Sequence, residues 1–339
     1  MISNPFVTRI FRKYYVKLKN KKFLVIFGPT GVGKTDIAIT LAEQIPAEII
    51  NMDMGQCYAP LSIGTAKPDW QSQKIPHHLF DSINEPKNFT VTQYRKLCLD
   101  AMNAIWDRGN LPILVGGSAF YLQSLFFPPL TQPFGQAITM VAMPDEANSW
   151  DSLNEIDPKR ASMIHPNDSY RINRALSIWH TLGKKPSDYI PLFNPPSSYT
   201  VLCLGRERKE LYERIDSRVY AMIRDGWLEE TKSLQKTPWE VFVRSKKIIG
   251  YDDIFAYLEG DRSPENLKKM IHAIQQKTRN YAKRQMTFWR KLEIDLTNAI
   301  QAHQAQDALE GEIGVVNLTL LDVDLYISQL LKKVNTWFA

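Results

Sequence analysis

Cysteine is scarce in this chain, and the few cysteines follow no pattern. Cys57, Cys98 and Cys203 lie far apart and match neither a disulfide framework nor the spacing of zinc ligands. We therefore expect buried free thiols and a reduced, cytoplasmic compartment. No apolar run approaches the ~18 residues that a membrane-spanning helix needs, so we predict no membrane contact. With 339 residues, 44% of them hydrophobic, the chain can still bury a sizeable core.

Acidic residues are absent from two segments that are rich in cations. Residues 1–22 hold seven Lys or Arg and no acid, and we treat them as a basic N-terminal extension: an RNA-contacting arm, a targeting sequence or a frayed end. Residues 270–292 also lack an acid. Their cations are interleaved with Tyr281, Phe288 and Trp289, a pattern typical of helices that bind a phosphate backbone and unstacked bases. The alternative is a solvated or structural helix with the same composition.

Short apolar runs alternate with helical spacing in the first third of the chain. Residues 23–27 predict a strand, which is followed by glycines and then by helical spacing from Thr35 to Pro46. Further strands are expected at 47–53 and 111–115, with a helix at 93–107 between them. This order predicts an α/β fold, a P-loop-type, mostly parallel sheet with flanking helices.

Ten prolines break the stretch 128–198 into short pieces, in which the one clear helical pattern covers residues 170–181. We interpret 128–198 as an inserted, mostly helical subdomain. The core then consists of residues 23–127 and 199–339. Its second part contains a strand near 201–204, helices near 208–224, 251–259 and 266–291, and an apolar run at 315–321 before a last helix.

A phosphate-binding loop follows the first strand. Its sequence satisfies the whole pattern, and it stands between a predicted strand and a predicted helix as the pattern requires. Backbone N–H groups and the helix N-terminus favour phosphate oxygens, the lysine adds a charge and the threonine hydroxyl can ligate Mg²⁺. The expected diphosphate-binding residues are Gly28, Pro29, Thr30, Gly31, Val32, Gly33, Lys34 and Thr35.

The carboxylate that phosphotransferases keep at the end of a later strand is missing here. The strand at 111–115 ends in Gly116-Gly117-Ser118, which weakens an ATPase or kinase interpretation. Asp53 instead follows the second strand, at the edge where open α/β sheets bind ligands. From spacing alone, Asp53 is either catalytic or a turn or cap residue.

Several short motifs, taken together and in order, resemble the bacterial type of tRNA dimethylallyltransferase, the isopentenyl-diphosphate:tRNA transferase family. The resemblance covers residues 22–290. It rests on the phosphate loop, Asp53-Met54-Gly55-Gln56-Cys57-Tyr58, Ile63-Gly64-Thr65-Ala66-Lys67-Pro68, Pro76-His77-His78-Leu79, Leu114-Val115-Gly116-Gly117-Ser118-Ala119-Phe120-Tyr121, His165-Pro166-Asn167-Asp168, Ile249-Gly250-Tyr251, Ala282-Lys283-Arg284-Gln285 and Trp289-Arg290.

The resemblance implies an enzyme that transfers a dimethylallyl group from dimethylallyl diphosphate to the N6 amine of the adenosine 3′-adjacent to the anticodon in tRNA. Asp53 is then the general base, while Lys34, Thr35, Arg218 and Mg²⁺ stabilise the leaving diphosphate. We expect a monomer that binds the anticodon stem-loop. The expected tRNA-binding residues are Asp53, Met54, Gly55, Gln56, Ser118, Arg171, Arg174, Lys283, Arg284, Gln285, Trp289 and Arg290.

Several features depart from the family pattern, and Gly55 and the Ala59-Pro60 pair are among them. Ser118 stands where the family usually has threonine, and residues 129–149 replace a longer helical segment that bears an arginine near the RNA. His77 and His78 lack an obvious set of metal partners, so we interpret them as structural. The alternatives are an adenylate isopentenyltransferase acting on free nucleotides, a P-loop nucleotide kinase, and a non-catalytic RNA-binding protein with a vestigial loop.

Overall fold

A parallel β-sheet forms the centre of the molecule. The structure is a computed structural model that describes residues 20–130, 138, 149–303 and 309–338. Six strands pair in the order β3-β2-β4-β1-β5-β6, and every pairing is parallel. The strands are β1 (Lys22–Phe27), β2 (Ala47–Asn51), β3 (His77–His78), β4 (Leu111–Gly116), β5 (Ser198–Gly205) and β6 (Gly311–Asn317).

Helices cover both faces of the sheet. They are α1 (Lys34–Ala42), α2 (Met54–Cys57), α3 (Val91–Asp107), α4 (Ala119–Phe126), α5 (Trp150–Ile156), α6 (Pro158–Ala161), α7 (Ser169–Leu182), α8 (Arg208–Arg224), α9 (Trp227–Leu234), α10 (Pro238–Lys246), α11 (Tyr251–Glu259), α12 (Pro264–His303) and α13 (Val323–Asn335). No helix among these described segments is both long and apolar enough to cross a membrane.

Strand β1 shows why the core has two layers. Leu24 and Ile26 pack with α1, α8 and α13 on one face, whereas Phe23, Val25 and Phe27 pack with α3, α4 and α12 on the other. Successive side chains of a strand point to opposite faces, and a parallel sheet covered on both sides needs apolar residues on each. The continuous apolar run at 23–27 thus reflects burial on two faces.

Two smaller apolar clusters lie outside the sheet. Helices α8 to α12 enclose one around Trp227 and Tyr251, which are 1% and 0% exposed. Helices α5 to α7 form the other, around Leu153 and Leu176. The second cluster belongs to the segment between α4 and β5, so the described part of the insertion has a core of its own. The expected α/β fold class is confirmed.

Element boundaries differ from the sequence-based expectations in three places. Strand β2 ends at Asn51, and Asp53 caps α2 rather than ending the strand. Strand β6 covers Gly311–Asn317 instead of 315–321, because its pairing with β5 begins at Gly311. Helix α12 runs on to His303, and the short helices α9 and α10 were not anticipated.

The proposed N-terminal extension also needs a correction at its end. Lys22 is the first residue of β1, and its ammonium group lies 2.5 Å from the Glu310 carboxylate, so it belongs to the core. Residues 1–19 lie outside the described residues. Most of the departing stretch 129–149 lies outside them as well.

Three cysteines are free and buried as expected, and burial raises the pKa of each thiol. Their sulfur atoms are therefore protonated at neutral pH and chemically quiet. The prediction that these three thiols are free and buried is confirmed.

A buried carboxylate ties β2 to its neighbours. Glu48 is 1% exposed and accepts two hydrogen bonds from Arg108, of 2.8 and 2.7 Å, and one of 2.7 Å from Asn110. His78 Nε2 lies 2.6 Å from the same carboxylate. Burial opposes the charged form, but these partners outweigh it and lower the pKa of Glu48 to about 2. The structure therefore supports a structural role for His78.

We predict that Glu48→Gln lowers the free energy of unfolding by about 1–3 kcal/mol, the range for hydrogen bonds to a charged group. A depressed carboxyl pKa stabilises the fold fully above its ordinary value of 4.5 and loses this effect as the pH falls towards about 2. The difference between wild type and variant in urea unfolding should shrink over that window.

Glu85→Gln is the matched control, because Glu85 makes an exposed pair with Lys87 at 3.0 Å. Such pairs contribute about 0–1 kcal/mol. Equal effects of the two substitutions at neutral pH would contradict the role given to Glu48.

Candidate active site

The carboxyl ends of three adjacent strands meet at one edge of the sheet. The phosphate loop follows β1, Asp53 follows β2 and Gly116 ends β4, and these strands are neighbours in the order β2-β4-β1. Open parallel sheets bind ligands at this edge. One cavity there is lined by Thr30, Lys34, Thr35, Ala38, Ile49, Asp53, Gln56, Thr65, Pro68, His77, Phe80, Val115, Gly116, Arg218 and Gln285.

The phosphate loop has the backbone conformation that its glycines predict. Gly31 and Gly33 have φ angles of +81° and +105°, in the left-handed region that side chains disfavour. Two arginines hold the loop from outside. Arg214 Nε donates to the Gly31 carbonyl and Arg206 Nε to the Val32 carbonyl, each at 2.9 Å. These bonds fix the loop before any ligand binds.

Lys34 is half-buried at the start of α1, directly after this loop. Its ammonium group donates to the Pro29 carbonyl over 2.9 Å. Burial, together with the positive charge of Arg218, lowers the pKa of Lys34 to about 8, although the charge of Asp53 opposes the shift. A bound anion would restore the charged form by offsetting both causes.

Arg218 provides a second, half-buried cation. It lies on α8, donates to the Ala66 carbonyl over 3.3 Å and lines the cavity together with Lys34 and Thr35. Lys34, Thr35 and Arg218 also line a second, outer opening between α1 and α8, where Arg214 and Ser217 join them. Two cations that face one cavity form a site for an anion with more than one negative charge.

Asp53 is both a helix cap and part of this cavity. Its Oδ1 atom accepts a hydrogen bond of 2.9 Å from the Gly55 amide at the start of α2. Burial raises the pKa of Asp53, while that amide, Lys34 and Arg218 act in the opposite direction. The sequence left open whether Asp53 is catalytic or a turn or cap residue; the structure shows the cap and also places Asp53 in the lining of the cavity.

Met54, Gly55 and Gln56 follow Asp53 on α2. Gln56 lines the cavity, and its amide nitrogen donates to the carbonyls of Thr65 and Ala66 at 3.1 and 3.2 Å. Gly55 is buried and Met54 packs between two apolar clusters. Ser118 begins α4, where its amide donates to the Met52 carbonyl over 3.3 Å and its hydroxyl caps no helical amide.

One residue outside the sequence-based set holds the loop between α2 and β3. The Glu230 carboxylate accepts amide hydrogen bonds from Ser62, Ile63 and Gly64 at 2.9, 2.6 and 3.0 Å. The Tyr251 hydroxyl donates to it over 2.6 Å. The Ile249-Gly250-Tyr251 motif marked this region, but nothing in the sequence identified Glu230 as the partner.

The cations of α12 separate onto different faces of the helix. Lys283 and Arg290 are exposed and line a groove with Arg206 and Arg208. The guanidinium group of Arg284, which is also exposed, lies 5.9 Å from the centre of the Tyr281 ring. None of these three α12 residues lies within ion-pair distance of an acid in the described structure, so their charges remain available to a ligand.

The structure buries two of the expected tRNA contacts on α12. Trp289 is 1% exposed and stacks on Phe27 with ring centres 5.2 Å apart, so it belongs to the core. Gln285 is 5% exposed, and both ends of its amide bind the protein: Oε1 accepts from Thr30 N and Nε2 donates to Gly117 O, each at 2.9 Å. Gln285 and Trp289 are one helical turn apart, so they share one face of α12. Their contacts with Gly117 and Phe27 show that this face packs on the sheet.

The acid-free helix is partly neutralised from other helices. Lys277 lies 2.6 Å from Asp253 on α11, and Arg279 lies 2.5 Å from Asp216 on α8. Absence of acids along the sequence therefore overstated the free charge at this end of α12. The unpaired cations lie further along, from Lys283 onward.

Arg171 and Arg174 lie on α7 in the insertion and do not line the cavity. Arg174 donates to the Ile138 carbonyl, and burial lowers its pKa. Arg171 is more exposed and its Nε lies 3.4 Å from Asp168. Of the two, Arg171 is the one whose side chain can reach an external ligand.

Comparison with known proteins agrees with this geometry. A family model described as IPP transferase matches residues 56–292. A tRNA dimethylallyltransferase of Petrotoga mobilis is 39% identical over 280 residues, covering 80% of this chain and 91% of the relative. One of Alkaliphilus oremlandii is 38% identical over 283 residues, covering 80% and 90%.

Solved structures give the same result. A tRNA isopentenylpyrophosphate transferase of Bacillus halodurans is 30% identical with a TM-score of 0.59, covering 94% of this chain and 97% of its own. A eukaryotic dimethylallyltransferase acting on tRNA is 27% identical with a TM-score of 0.73, covering 93% and 77%. The strand order, the phosphate loop with Asp53 beside it, and these matches together show that the chain belongs to the IPP transferase family of tRNA dimethylallyltransferases.

Proposed function

We propose that this enzyme transfers a dimethylallyl group from dimethylallyl diphosphate to the N6 amine of the adenosine 3′-adjacent to the anticodon in tRNA. One observation carries the proposal. Lys34, Thr35 and Arg218 line the same cavity as Asp53. The first three residues can bind the leaving diphosphate, and Asp53 can accept a proton from the attacking amine.

The proposed reaction is a single displacement. The adenine N6 atom forms a bond to the first carbon of the dimethylallyl group, the bond from that carbon to the diphosphate oxygen breaks, and its electron pair leaves with the diphosphate. The N6 proton passes to Asp53. Removing this proton helps because the lone pair of an exocyclic amine is delocalised into the ring.

The environment of Asp53 suits a general base. Burial raises its pKa, which increases its affinity for the proton once the carboxylate has formed. The Gly55 amide holds Oδ1 from one side, so the orientation of the carboxylate is set before the base arrives.

The cations and amides of the cavity suit the diphosphate. Lys34 and Arg218 supply positive charge, and the amides of the loop and the start of α1 favour an anion. Mg²⁺ fits here, because the Thr35 hydroxyl offers a hard oxygen donor and this ion keeps few protein ligands beside phosphate oxygens and water. When bound, it would neutralise charge on the diphosphate.

The exposed cations of α12 support an RNA acceptor over a free nucleotide. Lys283, Arg284 and Arg290 are exposed and lie outside the set of residues that line the cavity. An adenylate isopentenyltransferase would not need them. A nucleotide kinase is disfavoured by β4, which adjoins β1 and ends at Gly116 without a carboxylate.

The proposal includes a monomeric, cytoplasmic enzyme. The free, buried cysteines support a reducing compartment.

A direct test incubates the purified enzyme and Mg²⁺ with radiolabelled dimethylallyl diphosphate and either unmodified tRNA or AMP. Label should enter tRNA, and nuclease digestion should recover it on the adenosine next to the anticodon. Label in AMP but not in tRNA would reject the proposal in favour of the free-nucleotide enzyme.

Asp53→Asn should fold and bind tRNA yet lose about 10²–10⁴ in turnover, the usual contribution of a positioned general base. In the wild type, kcat/KM should fall on the acid side as Asp53 is protonated, at a pH above the ordinary pKa of an aspartate. Single-turnover rates with bound tRNA provide the measurement. Turnover near the wild-type value would remove Asp53 from the mechanism.

Lys34 should produce the alkaline limb of the pH profile. Because its pKa is lowered to about 8, the free enzyme loses this charge above about pH 8, and kcat/KM for the diphosphate donor should fall there. Lys34→Arg keeps the charge at higher pH, so the limb should disappear even if the rate is lower. An unchanged limb in Lys34→Arg would assign the titration to another group.

The exposed cations of α12 can be tested through the salt dependence of tRNA binding. Replacing Lys283 and Arg284 together by Ala should weaken tRNA binding, reduce the slope of log K against log[salt] by up to about 1.5, and leave donor binding nearly unchanged. Filter binding at several salt concentrations measures both quantities.

Lys268→Ala with Lys269→Ala is the matched control. This variant removes the same formal charge from the same helix. Its positions lie about 22 Å along α12 from Lys283 and Arg284, at 1.5 Å per residue. Equal losses in the two double variants would mean that only net charge matters, and the free-nucleotide alternative would then gain support.

A further inference from the structure

Phe120 and Phe288 form an aromatic pair, and Phe120 lies four residues along the chain from Gly116, which lines the cavity. Phe120 follows Ser118 on α4 and is 57% exposed. Its ring centre lies 4.7 Å from that of Phe288 on α12, with an interplanar angle of 54°. Phe288 is half-buried against the core, so it supports Phe120 from below.

This exposure is unusual within the described part of the chain. Phe120 is the one phenylalanine or tryptophan there whose side chain is largely in water. Other exposed aromatic residues, such as Tyr170 and Tyr220, carry a hydroxyl that water can solvate. A ring without a polar group, kept in water a few residues along the chain from the lining of a reaction cavity, suggests a contact with a ligand.

Phe288 lies on a line of residues that passes the cavity. Tyr281, Arg284, Phe288 and Lys291 are spaced three or four residues apart and so share one face of α12. Gln285, which lines the cavity, lies on the same helix between Arg284 and Phe288. Phe288 lies about 10 Å along the helix from Tyr281, at 1.5 Å per residue.

Cations flank the aromatic pair on both sides. Arg284 precedes Phe288 by one turn and Lys291 follows it by nearly one turn, and both are exposed. Neither lies within ion-pair distance of an acid among the described residues. Alternating cations and aromatic rings suit RNA, because the cations meet phosphates while the rings meet base faces. This charge complementarity selects RNA as the occupant.

We propose that Phe120 and Phe288 form a stacking platform for an unpaired anticodon-loop base next to the target adenosine. The inference rests on the proposed function, which requires that the adenosine leave the base stack to reach the cavity. Its departure exposes the face of a neighbouring base. The Phe120 ring covers this face, while Arg284 and Lys291 bind the phosphates on either side.

Phe120→Ala tests the platform. In steady-state assays with full-length tRNA, kcat/KM for tRNA should fall about 5- to 100-fold, the effect of losing one base–aromatic contact. The KM for dimethylallyl diphosphate and the midpoint of urea unfolding should not change, because the side chain is mainly in water. Phe120→Trp should retain the activity on tRNA.

An abasic nucleotide identifies the contact as stacking. Two tRNA substrates are compared, one abasic at the nucleotide 5′ to the target adenosine and one abasic at the nucleotide 3′ to it. On the tRNA that lacks the stacked base, wild type and Phe120→Ala should have equal kcat/KM. Tyr220→Ala, which removes a similarly exposed ring on α8, is the control and should match the wild type on every substrate.

The outcomes separate the two proposals. If the wild type modifies tRNA and Phe120→Ala does so with the same kcat/KM, the platform is rejected and the pair serves another partner, such as a protein. The platform is also rejected if Phe120→Ala remains defective on both abasic tRNAs. If the wild type modifies no tRNA, the proposed function itself fails.

Discussion

The side-chain amide of Gln285 joins the two loops on which the cavity depends. It binds the Thr30 amide in the phosphate loop and the Gly117 carbonyl after β4, each at 2.9 Å. One turn later, Trp289 stacks on Phe27 of β1 and fixes the rotation of α12 against the sheet. The helix that presents Lys283 and Arg284 to solvent is therefore the same element that positions the phosphate loop. A shift of α12 would disturb the donor site and the RNA-facing surface together.

The charges of the cavity are arranged in advance of its substrates. Burial lowers the pKa of Lys34 and raises that of Asp53, so both charged forms lose solvation when the chain folds. A bound diphosphate would stabilise the cations, and a reacting amine would deliver a proton to the carboxylate. Preorganised charges of this kind stabilise a transition state without moving during the reaction, at some expense in the stability of the free enzyme.

Much of this arrangement could be predicted from the sequence. The phosphate loop, the alternation of strands and helices, and the position of Asp53 after β2 all depend on local patterns, which the chain follows closely. The roles of Gln285 and Trp289 could not be read in this way. A run of cations and aromatics predicts a helix but not its rotation about its axis, which depends on Phe27 and Gly117 far away in sequence. The same limit hid Glu230, whose contact with Ser62 spans 168 residues.

Glu230 shows how the helices beyond the sheet take part in the site. Its carboxylate accepts hydrogen bonds from three backbone amides of the loop after α2 and from the Tyr251 hydroxyl on α11. The next residues of that loop present the Thr65 and Ala66 carbonyls, which accept hydrogen bonds from Gln56 and Arg218. Gln56 and Arg218 both line the reaction cavity. The loop therefore links the packed cluster around Trp227 and Tyr251 to Arg218, a cation that suits the diphosphate.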